Sequence, residues 1–406
     1  MDRIPCTTPP PVVPPRTALS LPHDQLPNET WREIFQCLPM YPPPELYRYK
    51  NGPIHEYPVQ RMSRTCKRMR AIALPFMYSD IYLTTPVSVL KTRSRLRFRP
   101  ELVRHVRRLD IYVEAVMGVP RAGSQLNHIL KIQKELAECI FDITSILTNG
   151  SLLTTVNFYG AIPKRLGDYM HAQCRPAFIR AKNISFERDL RTTVTFDRTL
   201  WVDARYVQNM LSHCCTVEQI RLSMVHTARF TKACALPHSL RTLYMSHVQQ
   251  SPDTYAVWLS ELHKLEVLHI SEPCWAGADF TSLIAAFGMF GPNLKSLLME
   301  EGYMSFSFLK HDYFTWAGAT TEMVLRCTNL TELHLKGVCY RADIVRDIPR
   351  TLVSVVMDKM QFGAGADETI SYDEFVDGLI KLPNLQELIV KHNYSVVDSN
   401  ATKVLL

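Results

Sequence analysis

The chain has 406 residues and a formal net charge of +7, and it is 46% hydrophobic and 21% charged, which is ordinary for a globular protein. It contains no run of about 18 apolar residues, so we expect neither a membrane-spanning helix nor a membrane partner. Its eleven cysteines form no CxxC pair, which indicates free thiols in the cytoplasm or the nucleus.

The N-terminal residues 1–22 are rich in proline and lack the apolar core of a secretory signal, so we expect a disordered tail. The next segment, Leu26–Leu38, predicts a short helix that ends at the prolines from residue 39 onward. Its apolar face comprises Trp31, Ile34, Phe35 and Leu38. A helix of about three turns is marginal alone in water, so another surface must cover this face.

A second helix is predicted over residues 58–75 and ends at Pro75. One face of this helix carries Val59, Met62, Cys66, Met69 and Ala73. The alternation that follows predicts a strand with Ile81 and Leu83 pointing inward.

The two segments LPNETWREIFQCL (26–38) and SRTCKRMRAIALPFMY (63–78) together resemble the F-box of mushroom-type fungi. The resemblance covers residues 23–83, with a proline-rich insertion at 39–58 in place of the usual link. It implies binding to the Skp-type adaptor of a cullin–RING ubiquitin ligase. The implied adaptor-binding residues are Leu26, Pro27, Trp31, Ile34, Phe35, Leu38, Met62, Cys66 and Met69. Alternatively, part of this set, such as Ile34 and Met69, only packs the two helices together.

The positive charge is concentrated in residues 59–108, where thirteen basic and two acidic residues give a net charge of +11. The densest stretch is 91–108. It predicts either a solvated basic face or a contact with nucleic acid. The second interpretation gives an alternative function, a repeat scaffold that binds nucleic acid without a ligase. We favour the first, because only Phe98 is placed among these charges for base stacking.

One apolar pattern, L-x-x-L-x-L, recurs ten times between residues 106 and 390. Its central residues are Leu109, Val156, Ile184, Ile220, Leu243, Leu268, Leu297, Leu333, Val355 and Leu388. Helical stretches lie between the copies, among them 125–147 and a helix opened by Ser251 and Pro252. The predicted fold class is therefore α/β: residues 84–406 resemble an irregular leucine-rich repeat horseshoe, with parallel strands inside and helices outside. An ordinary α/β domain is the alternative.

The residue between the two buried strand positions of each copy faces the concave side of such a horseshoe. From the fourth copy onward these residues are Arg221, Tyr244, His269, Leu298, His334, Val356 and Ile389. The apolar members, flanked by charges, predict a surface that binds a protein substrate. The alternative is that the C-terminal tail, residues 391–406, covers the strip as a cap. Together with the F-box resemblance, this predicts a non-catalytic substrate receptor of a ubiquitin ligase.

No motif for an enzyme or a cofactor site is found, and we expect neither. The cluster His213-Cys214-Cys215, with Cys234 and His238, lacks the paired spacing of zinc sites. The segment that ends at Glu374 lacks the oxygen ligands of a calcium loop. We interpret Ser371 and Glu374 instead as the capping box of a helix that runs to Ile380.

Overall fold

The computed structural model describes residues 26–37, 58–117, 126–150, 152–160, 181–187, 202–203, 214, 216–223, 225–226, 236–248, 251–271, 279–300, 312–336, 340–341, 343–358, 370, 372–392 and 400–405. The chain divides into two compact units, Met1–Met77 and Tyr78–Leu406. The strand Asp80–Leu83, which the sequence grouped with the helices, belongs to the second unit because it pairs with the next strand there.

Three helices are described in the first unit. They are α1 (Asn28–Cys37), α2 (Pro58–Ser63) and α3 (Lys67–Met77). The single helix predicted over 58–75 is thus wrong: a turn interrupts it, where the amides of Arg64 and Thr65 donate to the carbonyls of Arg61 and Met62. Pro75 lies inside α3 and does not end it, since a proline this close to the C-terminus removes only one hydrogen bond of the last turns.

The core of the first unit is formed between α1 and α3. Its buried residues are Trp31, Phe35, Met69, Ile72 and Ala73. The ring centroids of Trp31 and Phe35 are 6.1 Å apart, and those of Phe35 and Phe76 are 5.9 Å apart. The amphipathic face of α1 is therefore covered by a helix of its own unit.

The second unit is built on one 12-stranded sheet whose strands follow one another in chain order. The strands are β1 (Asp80–Leu83), β2 (Arg108–Tyr112), β3 (Thr155–Tyr159), β4 (Asn183–Glu187), β5 (Gln219–Ser223), β6 (Thr242–Ser246), β7 (Val267–Ser271), β8 (Ser296–Glu300), β9 (Glu332–Lys336), β10 (Ser354–Asp358), β11 (Glu387–His392) and β12 (Asn400–Leu405). The first eleven are parallel, and β12 is antiparallel to β11. The short strands Val202–Asp203 and Val225–His226 pair separately.

The ten central residues of the repeated pattern lie side by side across this sheet. Each is paired with the central residue of the next copy, and Ile81 of β1 extends the row by one. All of them are buried. The prediction of adjacent, parallel strands in a common register is confirmed, since only this register puts every apolar residue on the same face.

Eight helices are described in the second unit. They are α4 (Pro86–Phe98), α5 (Val113–Met117), α6 (Leu126–Gly150), α7 (Pro252–Ser260), α8 (Thr281–Phe290), α9 (Asp312–Leu325), α10 (Ile344–Asp347) and α11 (Tyr372–Ile380). Their apolar side chains form one continuous core with those of the strands. The Ser251 side chain accepts a hydrogen bond from the Thr254 amide, so the predicted cap of α7 is confirmed. None of the described helices combines the length and apolar character that spanning a membrane requires.

Asparagines that precede the first leucine of a copy connect neighbouring repeats. The side-chain amides of Asn293, Asn329 and Asn384 donate to main-chain carbonyls of the preceding repeat at 2.8, 2.8 and 3.2 Å. The residue that follows the first apolar position of a copy is alternately basic and acidic in successive repeats. These residues form the ion pairs Lys182–Glu218, Arg241–Glu266 and Lys295–Glu266. These pairs are exposed, so each contributes only about 0–1 kcal/mol.

The register of the sheet can be tested at Leu333, which is fully buried at the centre of β9. We expect Leu333→Ala to lower the free energy of unfolding by about 3 kcal/mol, because it leaves a cavity in a packed core. The control Val257→Ala, at a side chain 44% exposed on α7, changes it by less than about 0.5 kcal/mol. Denaturant unfolding followed by circular dichroism measures both, and equal effects would contradict the packing of β9.

Candidate functional site

The predicted adaptor-binding residues of the first unit fall into two groups. Trp31, Phe35 and Met69 are 8%, 0% and 2% exposed. The expectation of an uncovered face is wrong for Trp31 and Phe35, and for Met69 the alternative, packing between the two helices, is the one that the structure favours. The physical reason is the contact between α1 and α3, since α3 supplies the apolar partner that a short amphipathic helix needs. These three side chains hold the unit together.

The accessible part of the set lies at the start of α1 and on the border of the small core. Leu26 is 36% exposed and Pro27 is exposed. Ile34, Met62 and Cys66 are partly buried and pack against the core. Leu38 lies outside the described residues.

Arg68 of α3 fixes the position of this accessible segment. Its Nε donates to Asn28 Oδ1 at 2.9 Å, and its Nη2 donates to the main-chain carbonyl of Leu26 at 2.6 Å. The Trp31 amide also donates to the Pro27 carbonyl at 3.2 Å. Leu26 and Pro27 are thereby held in a fixed position beside α3, which lowers the entropy that a partner would have to remove on binding.

The second unit offers a different surface, which we call the second face: the side of the sheet opposite the apolar strand positions. On β2, β3 and β4 the residues in the middle of this face are Asp110, Asn157 and Ser185, and all three are buried. Asn157 Nδ2 donates to Asp110 Oδ1 at 2.7 Å, and Ser185 Oγ donates to Asn157 Oδ1 at 2.7 Å. The three strands are therefore joined by a ladder of side-chain hydrogen bonds.

Arg108 completes the ladder at its N-terminal end. Its Nε and Nη2 donate to the two carboxylate oxygens of Asp110, both at 2.9 Å. The rings of Tyr112 and Tyr159 stack beside it, with centroids 4.8 Å apart. Burial, together with the Asp110 charge, raises the pKa of Tyr159 to about 12, so the phenol stays protonated. Since these polar groups are paired with one another, this end of the second face is a structural network.

The middle of the second face carries three aromatic or cationic side chains in a row, which we call the central row. The exposed Arg221 guanidinium lies 4.3 Å from the Tyr244 ring centroid. Tyr244 in turn meets His269 edge to face, with centroids 5.6 Å apart. His269 Nε2 is buried and has no hydrogen-bond partner within the described part of the chain.

The C-terminal end of the second face is apolar. Leu298, His334, Val356 and Ile389 lie on neighbouring strands at directly paired positions, and all are half-buried. We call these four residues the C-terminal strip. Glu300 and Lys336 lie next to each other along its border. The strip is contiguous because the strands keep one register. The last four residues of the predicted substrate-binding set are therefore brought together here.

The C-terminal tail does not cover this strip where it is described. Strand β12 pairs with β11 in the plane of the sheet, with Ile389 opposite Lys403. A strand in that position covers the edge of a sheet and leaves its face free. Residues 393–399 lie outside the described part.

The two histidines of the second face have lowered pKa values. Burial is the main cause for His269. The carboxylate of Glu300 raises the pKa of this imidazole, whereas the positive charges of Lys336 and Arg221 lower it further. Burial is also the main cause for His334, where Glu332 and Glu387 act in the opposite direction. Both imidazoles are therefore neutral at pH 7.

The basic stretch 91–108 is partly neutralised within the unit. Arg93 and Arg97 of α4 both pair with Asp142 of α6. The guanidinium of Arg95 lies 5.9 Å from the ring centroid of Tyr78. Together with the Arg108–Asp110 pair, these contacts engage half of the basic residues of the stretch, whereas Lys91, Arg99, Arg104 and Arg107 are exposed.

No group of three or more His, Cys, Asp or Glu side chains suited to a metal ion occurs among the described residues. Cys214 is buried with a free thiol, while His213, Cys215 and Cys234 lie outside the described part. Comparison with family models gives no match, and no curated protein matches the chain.

The burial of Phe35 can be tested by truncation. We expect Phe35→Ala to lower the free energy of unfolding of the first unit by about 3–5 kcal/mol, because the ring is fully buried between α1 and α3. Hydrogen exchange of amides in α1 and α3 should then accelerate, while amides in α7 remain protected. The control is Gln36→Ala, an exposed neighbour. Unchanged protection of α1 would contradict the assigned core.

The lowered pKa values predict acid sensitivity of the second unit. The imidazoles of His269 and His334 take up protons at a higher pH in the unfolded chain than in the folded chain. Their contribution to the free energy of unfolding is therefore complete above about pH 6.5 and is lost as the pH falls through the folded-state pKa values. We expect the denaturant midpoint of the wild type to fall between about pH 8 and pH 5. In the double variant His269→Gln with His334→Gln the midpoint should fall less over the same range. The control is the exposed His238→Gln. Identical pH profiles of the wild type and the double variant would contradict the assignment.

Proposed function

We propose that this protein is a substrate receptor of a cullin–RING ubiquitin ligase, in which an F-box binds a Skp-type adaptor and a leucine-rich repeat domain binds the target protein. The single observation that supports it most is the C-terminal strip on an eleven-stranded parallel sheet. Such a sheet, built from in-register repeats, offers a long binding surface with one side chain from each strand.

The first unit supports the adaptor half of the proposal, with a smaller contact set than the sequence predicted. Helices are described in both segments that carry the F-box resemblance, α1 in the first and α3 in the second, with the short α2 before it. The contact is carried by Leu26 and Pro27, with Ile34, Met62 and Cys66 at the border of the core. Trp31, Phe35 and Met69 contribute indirectly, by holding these residues in position.

The second face supports the substrate half. The C-terminal strip supplies aliphatic area, and Arg221 and Tyr244 supply the cationic and aromatic side chains that contribute most at protein interfaces. The half-buried His269 packs edge to face against Tyr244 and so holds that ring on the second face. We therefore propose Arg221, Tyr244, His269, Leu298, His334, Val356 and Ile389 as the substrate-binding set.

The alternative function, nucleic-acid binding through residues 91–108, has less support. Four of the eight basic residues of this stretch are engaged by Asp142, Asp110 or Tyr78. Affinity for nucleic acid depends on cations that are free to neutralise phosphates. The internal pairs reduce that number.

The adaptor contact can be tested with charge insertions at exposed positions. We expect Leu26→Glu with Pro27→Glu to abolish co-purification with a co-expressed Skp-type adaptor, because two carboxylates would be buried unpaired in an apolar contact. The fold should be unaffected, since both side chains are exposed. Size-exclusion chromatography of the co-expressed proteins measures the complex.

The matched control adds the same two charges elsewhere on α1, as Gln36→Glu with Cys37→Glu, both exposed. This variant should still bind the adaptor. Failure of the wild type to bind would refute the proposal, and equal loss of binding in both variants would refute the assigned contact.

A further inference from the structure

Helix α4 exposes an unusual combination of large apolar and basic side chains. Val87, Leu90 and Phe98 are 56%, 52% and 83% exposed, which makes them three of the nine exposed large hydrophobic residues identified in the described chain. The helix carries four basic residues and no acidic one. From these observations we propose that α4 docks on an anionic lipid surface.

The apolar side chains share one side of the helix. At 100° per residue, Val87 and Phe98 point in nearly the same direction, and Leu90 lies within about 60° of Val87. The opposite side of the helix carries Val89 and Leu96, which are buried in the core of the unit. Helix α4 therefore has an exposed apolar side, about 16 Å long, in addition to the apolar side that it buries in the core.

Basic groups flank this apolar face. Lys91 lies on one side next to Phe98. Arg95, beyond Lys91, lies against the Tyr78 ring, and Arg97 on the other side is paired with Asp142, so the charge offered to a headgroup comes from Lys91 and the residues after the helix. Arg99 and Arg104 continue the positive charge into the 3-10 helix that follows, Pro100–His105. An apolar centre with cationic flanks is the arrangement of helices that lie in the membrane interface.

The helix is capped at its start and attached to a neighbouring helix of its own unit. Thr85 and Ser88 form a reciprocal capping box at its start, and Pro86 occupies the first turn. Arg93 and Arg97 attach it to Asp142 of α6. The apolar side chains are thus held outward by the fold, so docking requires no folding step.

These features favour a lipid surface over a nucleic acid. Phosphates would use the cations but would leave Val87, Leu90 and Phe98 in water, whereas a headgroup layer accepts both. Protruding side chains also need no matching pocket in a fluid interface. Our expectation of no membrane partner came from the absence of an apolar run long enough to span, which has no bearing on a surface helix.

The test is co-sedimentation of the full chain with vesicles of phosphatidylcholine that contain about 30% phosphatidylserine. We expect binding that falls with salt and is far weaker on pure phosphatidylcholine. Leu90→Gln with Phe98→Gln should reduce partitioning at least about tenfold, because it removes two inserted side chains. Lys91→Gln with Arg99→Gln should reduce it about tenfold on anionic vesicles only.

The matched control is Val257→Gln with Met289→Gln, which removes two apolar side chains exposed on α7 and α8; its partitioning should stay within about twofold of wild type. Absence of vesicle binding by the wild type would overturn the proposal, as would unchanged binding by the Leu90 and Phe98 variant. Retention of a single-stranded RNA without vesicle binding would assign the helix to nucleic acid instead. Loss of adaptor co-purification in the Leu90 and Phe98 variant, with no vesicle binding by the wild type, would assign it to the adaptor contact.

Discussion

The constraint on which the second unit depends is the common register of its parallel strands. A single strand–helix repeat is too small to bury its own leucines, and only stacking against neighbours removes them from water. Because side chains alternate along a strand, a shift of one residue would expose a whole row. The eleven paired residues from Ile81 to Leu388 obey this requirement without exception. The same register makes a continuous surface out of the side chains between them.

That surface divides into two chemically distinct halves. On the early strands, Arg108, Asp110, Asn157 and Ser185 are hydrogen-bonded to one another, and all but the partly exposed Arg108 are buried. A buried network of this kind gives little net stability but strongly disfavours alternative pairings, since each broken contact leaves a buried polar group unpaired. On the later strands the same positions carry the central row and then the C-terminal strip, and all of these side chains except the exposed Arg221 are half-buried. The first half thus specifies the stack, and the second half is the part that is suited to binding.

In the first unit, the core uses most of the apolar side chains that the sequence offered to a partner. The face of α1 that looks free in the sequence is used to pack against α3, through Phe35 and Trp31. What remains for a partner is the segment before the helix, positioned by Arg68. Substitutions in the core would therefore act on the proposed adaptor contact only by unfolding the unit, whereas substitutions at the exposed Leu26 and Pro27 would leave the core intact.

The sequence by itself determined the positions, order and register of the first eleven strands, because the L-x-x-L-x-L pattern is a local signal that tertiary packing reinforced. It also determined the Ser251 cap of α7, which depends only on neighbouring residues. It did not determine what covers an apolar face: the pattern of α1 marks Phe35 as apolar but says nothing of α3, which lies some 30 residues further on. Likewise, only the tertiary structure decided that Asp110 is buried and paired with Arg108, that Pro75 lies within a helix, and that β12 joins the sheet edge. These outcomes depend on contacts between distant residues, and periodicity carries no information about the identity of the partner.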